Sequence, residues 1–175
     1  MNRIPAKTLL VTVPLILLLG IASGWLSGSG EGNLWYAALD KPWFVPPGWV
    51  FPLAWTTLYI LMGIALALVL EDRGAPGRGR AIGLFVTQLL LNLAWSPLFF
   101  GLHQVRIALA VVIAMAVIVA VTIALFHRIR PLAAWLLLPY LAWLCLATAL
   151  NWEVARLNPS AETLVPGEPR GQIAR

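Results

Sequence analysis

Tryptophan recurs beside uncharged polar residues in three stretches of this chain, Trp49–Trp55, Gln88–Trp95 and Tyr140–Trp152. In the second, Gln88, Asn92, Trp95, Ser96 and Phe99 fall on one face of a helix. In the third, Tyr140, Trp143, Ala147, Thr148 and Asn151 share a face, with Ala147 the small residue on a bulky stripe. Trp55, Tyr59 and Met62 align in the same way after the first. None of these faces carries a charge. An aromatic wall with a few hydrogen-bonding groups suits a flat, mostly apolar ligand and does not suit an ion or a proton. Two readings compete at Asn92. It is either glue between helices, worth about 1 kcal/mol, or a ligand contact, and Trp95 and Phe99 on its face favour a pocket wall. Packing of the three stripes into a plain core is the alternative for the whole set.

Other chemistries lack their residues. The two histidines, His103 and His127, stand at segment ends in different loops, too shallow to hold a haem between helices. No zinc spacing occurs. All seven carboxylates lie outside the apolar segments, so a proton relay has no carriers there. The single cysteine, Cys145, has no neighbouring histidine to activate it. No acid–base or metal apparatus is visible and no cofactor is required, so the expectation is binding.

The elements that must position these residues follow from composition. The chain has 175 residues, is 61% hydrophobic with only 11% charged, and has a mean hydropathy of +0.86, well above a soluble domain. Five stretches reach the about 20 apolar residues that a bilayer crossing needs: Leu9–Leu26, Val50–Leu70, Ala81–Phe100, Ile107–Phe126 and Leu132–Trp152. None contains Asp, Glu, Lys or Arg. The expected fold is an all-α membrane protein, a five-transmembrane-helix bundle with a long aromatic loop between helices 1 and 2. The first stretch has a second reading as a signal peptide, since Arg3 and Lys7 precede it and Ala22-Ser23-Gly24 resembles a cleavage site, although the run is long for one. Pro97 is expected to kink the third segment. Ala110, Ala114, Ala116 and Ala120 give the fourth a lipid face or a packing seam.

The loop Ser27–Trp49 carries glycines and prolines that oppose a continuous helix, yet also Trp35, Tyr36, Trp43, Phe44 and Trp49. That aromatic density favours a lid folded over the helix ends above an interfacial belt. Residues 1–158 are expected to form the transmembrane domain and residues 159–175 a polar, disordered tail. With five spans, Arg3, Lys7, Arg73, Arg78, Arg80, Arg128 and Arg130 share the N-terminal side, which favours a cytoplasmic N-terminus. The net charge of +5 sits at segment ends and in the tail, fitting membrane flanks and not nucleic acid. Lys41, Arg106 and Arg156 fall on the opposite side, where a flat ring with peripheral carboxylates, such as a porphyrin, could pair with one of them.

The ordered set of motifs closely resembles the TspO/MBR family, the tryptophan-rich sensory proteins related to the mitochondrial translocator protein. The residues that carry the likeness are Trp35-Tyr36, Leu39-Asp40-Lys41-Pro42-Trp43, Pro46-Pro47-Gly48-Trp49-Val50-Phe51-Pro52, Ala54-Trp55, Asn92 through Gly101, Pro139 through Trp143, Ala147-Thr148 and Asn151-Trp152. The resemblance implies five membrane helices, a homodimer, and a pocket under the first loop that takes porphyrins such as protoporphyrin IX or haem-like tetrapyrroles. It implies pocket positions at Trp35, Tyr36, Trp55, Asn92, Trp95, Trp143 and Ala147. Trp43, Tyr59, Ser96, Phe99, Tyr140 and Asn151 join them from the faces and the loop read above. Some members are linked to light-dependent protoporphyrin degradation, for which Trp35 and Trp143 are the counterparts, and transport of porphyrin or lipidic ligands is a further expectation. The expected location is the bacterial cell membrane, multi-pass, rather than the outer membrane. The family's cholesterol motif is broken, because Trp152 stands where tyrosine is required.

Overall fold

Lipid offers backbone N–H and C=O groups no partner, so apolar runs of this length must fold as helices. A computed structural model of the chain describes residues 6–165. Its long helices are α1 (Ala6–Leu26), α3 (Val50–Glu71), α4 (Arg78–Ser96), α5 (Val105–Ile129) and α6 (Pro131–Leu157), with a short α2 (Leu34–Ala37) in the first loop. All five long helices are long and apolar enough to cross a membrane, α4 together with the turn that follows it. No strand occurs among the described residues.

The helices run past the apolar windows because their charged ends find partners. The Arg78 guanidinium donates to Leu70 O at 2.7 Å and Val69 O at 3.0 Å, satisfying the last carbonyls of α3. Arg130 Nε lies 3.0 Å from an Asp72 carboxylate oxygen, and the Thr8 hydroxyl donates to Glu71. These contacts gather the start of α1, the 72–77 loop and the α5–α6 junction at one end of the bundle. At the other end the first loop meets the segment that follows α6.

Packing closes the long helices into a ring in which α1 lies on α3, α3 on α6, α6 on α5, α5 on α4, and α4 back on α1. Glycine makes the α1–α3 contact close. A Cβ on Gly63 would stand 2.7 Å from Val13 Cα, and the Thr12 hydroxyl donates to Gly63 O at 2.8 Å. A Cβ on Gly20 would collide with the Tyr59 ring. Ser23 donates to Leu93 O at 2.6 Å and ties α1 to α4. The stretch that also read as a signal peptide is thus a packed member of the ring. The lower part of the bundle is solid, with Phe85 and Phe126 fully buried and stacked at 5.8 Å.

One local expectation gains detail and one is corrected. Near the end of α4 the regular α-helix gives way at Pro97. The chain continues as a π-helical turn, Pro97–Gly101, in which Leu102 N donates to Pro97 O at 2.9 Å, and Leu93 O, the carbonyl that a proline at 97 cannot reach, accepts from Ser23. The tail is not disordered from residue 159. Ala161–Thr163 form a 3-10 turn, and Ala161 is buried against Trp35, because its carbonyl meets a buried indole N–H. Residues 166–175 lie outside the described residues. On α5, Ala110, Ala114 and Ala120 face outward.

Candidate ligand-binding cavity

Above the solid half of the bundle the ring encloses a cavity of about 620 Å³, within the ~300–1,000 Å³ of small-molecule sites. Gly20 and Gly24 of α1 line one wall, where Gly20 admits the Tyr59 ring and Gly24 the Ser29 side chain. The remaining walls come from the other four long helices, and the first loop forms the roof.

The aromatic lining falls into two groups. On α3 and α6, Trp55 stacks on Tyr59 at 5.3 Å, Trp143 meets Trp55 edge-on at 6.2 Å, and Phe51 meets Trp143 at 5.8 Å. At the end of α4, Trp95 stacks on Phe99 at 4.9 Å with planes 11° apart, and Tyr36 reaches Phe100 at 5.3 Å from the loop. The π-helical turn places Phe99 under Trp95, and Trp95 Nε1 donates to Ala108 O at 3.1 Å, which fixes that ring. These flat faces offer stacking surface at little cost in side-chain freedom.

The polar groups are mostly spoken for by the protein. Tyr59 donates to Asn92 Oδ1, Asn92 Nδ2 donates to the Tyr140 hydroxyl, and Tyr140 donates to Gln88 Oε1, each at 3.0 Å. This chain joins α3, α4 and α6 across the cavity floor. Of the two readings of Asn92, the helix glue is therefore present in full, while Asn92 also borders the cavity. Asn151 Nδ2 donates to Val105 O at 3.0 Å, and its Oδ1 has no protein partner although the residue is 3% exposed. Thr148 bonds back to Leu144 O.

Among the described residues, the charged side chains lining the cavity are Glu31 and Lys41, both in the roof. Lys41 Nζ sits 4.6 Å over the Tyr36 ring. Burial, and after it the Glu31 carboxylate, hold the Tyr36 phenol above the ordinary tyrosine range, so it stays neutral and able to donate. Arg106 and Arg156 are not in the lining; Arg156 pairs with Glu153 at 2.7 Å.

The structure gathers ten of the expected site residues at the cavity: Tyr36, Trp55, Tyr59, Asn92, Trp95, Ser96, Phe99, Trp143, Ala147 and Asn151. It places three elsewhere. Trp35 is 2% exposed beneath the loop, stacked on His103 at 4.2 Å with its N–H on Ala161 O. Trp43 is 94% exposed at the loop tip. Tyr140 is buried behind the lining, against Asn92, Trp55 and Met115. The expected pair of Trp35 and Trp143 is thus divided, with only Trp143 in the wall. Sequence reading missed Gly20 and Gly24, whose role depends on which helix passes behind them. It also missed His103, held at φ 56 where few side chains sit.

The sequence model of the TspO/MBR family matches residues 11–157. A tryptophan-rich sensory protein of Cereibacter sphaeroides is 46% identical over 124 residues, covering 71% of this chain and 77% of that protein. The tryptophan-rich protein TspO of Archaeoglobus fulgidus is 40% identical over 151 residues, 86% of this chain and 96% of its own length. The human translocator protein is 44% identical over 131 residues, 74% and 78% of the two chains. The matched stretch takes in the cavity and the five long helices but for the first residues of α1, and on these grounds the chain belongs to the TspO/MBR family.

Proposed function

We propose that this protein is a membrane receptor for tetrapyrroles, a sensor or regulator that holds a porphyrin such as protoporphyrin IX in the cavity. The observation that carries the reading is the cavity itself: about 620 Å³, walled by Trp55, Trp95, Phe99 and Trp143, with its only charged lining groups in the roof among the described residues. A flat macrocycle buries its faces against such walls. Its carboxylates belong at the roof, where Lys41 supplies a cation. The names of relatives as sensory and translocator proteins support a ligand-responsive membrane role.

The receptor reading is preferred to a transport path because the bundle is filled below the cavity by Phe85, Phe126 and the hydrogen-bonded chain at Tyr140. It is preferred to photodegradation because only one of the two tryptophans implied for that chemistry lines the wall. In the proposed setting the N-terminus is cytoplasmic, the roof faces away from the cytoplasm, and the bilayer is the bacterial cell membrane.

Ala147 tests the reading. Phenylalanine at this half-buried wall position fills the cavity from α6. Protoporphyrin IX should quench the tryptophan fluorescence of the wild type saturably, and Ala147→Phe should weaken binding by about tenfold or more. Equal affinity in the two proteins would displace the ligand from this cavity.

A further inference from the structure

The first loop is not held uniformly. Its near half, from Asn33 to Lys41, is built into a second small core in which Trp35 and Leu39 pack with Phe99, Val105, Ala108, Val154 and Ala161. Its far half, residues 43–49, carries Trp43 and Trp49 at 94% and 67% exposure. The backbone bonds there are local, Val45 N to Pro42 O and Val50 N to Pro47 O.

The near half packs on Phe99, Phe100 and His103, and the segment after α6 adds a second set of tethers. Asp40 N donates to Asn158 Oδ1 at 2.9 Å, and Asn158 Nδ2 donates back to Asp40 O at 2.8 Å. Trp35 Nε1 donates to Ala161 O at 2.9 Å. Asn158 O accepts from Ala161 N at 3.0 Å, so one residue joins both tethers. Glu162 in turn accepts from Arg106 N at 3.1 Å, at the start of α5. The Trp35–Ala161 and Asp40–Asn158 bonds link positions more than a hundred residues apart. The tail residues that make them lie beyond the stretch 11–157 that the family model matches. The tethered half carries Tyr36 and Lys41 into the cavity roof.

We propose that residues 158–163 are a latch on the cavity roof, with Asn158 as its positioning residue, and that the latch sets how long a ligand stays in the cavity. With the latch closed, Tyr36 and Lys41 are fixed over the cavity and access runs under the far half, residues 43–49. With the latch open, the near half lifts as well and the roof is lost. The proposal rests on the cavity being the binding site, and it assigns regulation of that site to the C-terminal segment. A segment tethered by a few side-chain-to-backbone bonds is a local opening unit whose release is measurable apart from global unfolding.

The test uses the full chain in lipid nanodiscs, Asn158→Ala, Asn158→Gln, and a chain that stops after Asn158. Hydrogen–deuterium exchange reads residues 33–41, with α3 and α5 as internal controls for folding. Protoporphyrin IX association and dissociation are read by stopped-flow quenching. The latch predicts exchange of 33–41 faster by about tenfold in Asn158→Ala and in the shortened chain, with α3 and α5 unchanged. It predicts a dissociation rate raised about tenfold with the association rate changed much less, and partial restoration of both by Asn158→Gln. Unchanged exchange in both disrupted chains would overturn the latch whatever the porphyrin does. Faster exchange with an unchanged dissociation rate would also overturn it, leaving a tether without a gating role. Absence of porphyrin binding to the wild type would instead defeat the ligand reading, a separate result that the exchange data do not touch.

Discussion

At the scale of single residues, the outcome at each tryptophan and amide depends on which neighbour reaches it. Tyr140 shows the logic. Its hydroxyl both accepts from Asn92 and donates to Gln88 in a fully buried setting. Tyr140→Phe strands an amide donor and an amide acceptor, and should lower stability by about 1–3 kcal/mol, read as a lower thermal midpoint in detergent. A midpoint equal to the wild type would mean that Asn92 and Gln88 find other partners. Tyr36 gives a prediction on charge. Burial raises its pKa first and the Glu31 carboxylate second. Replacing the carboxylate removes a negative charge that opposes phenolate formation, so Glu31→Gln should move the Tyr36 pKa downward, while burial keeps it above the ordinary value. Alkaline titration of phenolate absorbance, with Tyr36→Phe as the reference, checks the direction; an upward or absent shift would contradict it. Residue types on the faces of α4 and α6 were legible in advance, because a period of 3.6 sorts Gln88, Asn92, Trp95 and Phe99 without knowing the partners. Trp35 and Trp43 were not. Whether a loop indole lies in a cavity, in a core or in the open is set by distant groups, here Ala161 O for Trp35 and none for the exposed Trp43.

At the scale of elements, the five spans were legible because each apolar run lacks charge and is long enough to cross, and the helices differ from the expected windows mainly by extending into charged ends such as Arg78 and Arg128. The roles of α1 and of the segment after α6 were not legible. The inward face of α1 is marked by Gly20 and Gly24, and a missing side chain is a weak signal until the facing Tyr59 is known. Asn158 reads as a polar residue at the start of a tail, and only its bonds to Asp40 make it structural. The α1–α3 contact yields the prediction for this scale. A Cβ on Gly63 meets backbone, Val13 Cα at 2.7 Å, and backbone cannot rotate away. Gly63→Ala should separate α1 from α3 and cost about 1–3 kcal/mol, again read as a thermal midpoint. Gly83→Ala, where nothing lies within 4 Å, is the control expected to stay close to wild type. Equal behaviour of the two variants would mean that α1 does not pack against α3 as described.

At the scale of the molecule, a ring of five helices is filled at one end and hollow at the other, and the hollow end is roofed by a loop that bonds to a tail far away in sequence. The filled end gives the bundle its rigidity through stacked rings and the Tyr59–Asn92–Tyr140–Gln88 chain. The hollow end is where the proposed flat ligand would sit. This division assigns the tryptophans distinct duties, so a panel of them tests the account most directly. Trp143 lies in the wall, and Trp135 stands 63% exposed on the outer surface of α6. Protoporphyrin IX affinity, measured from the porphyrin's own absorbance in nanodiscs, should fall about tenfold in Trp143→Ala and stay within about twofold of wild type in Trp135→Ala. Equal affinity in both variants, or a larger loss at Trp135, would contradict a binding site inside the ring.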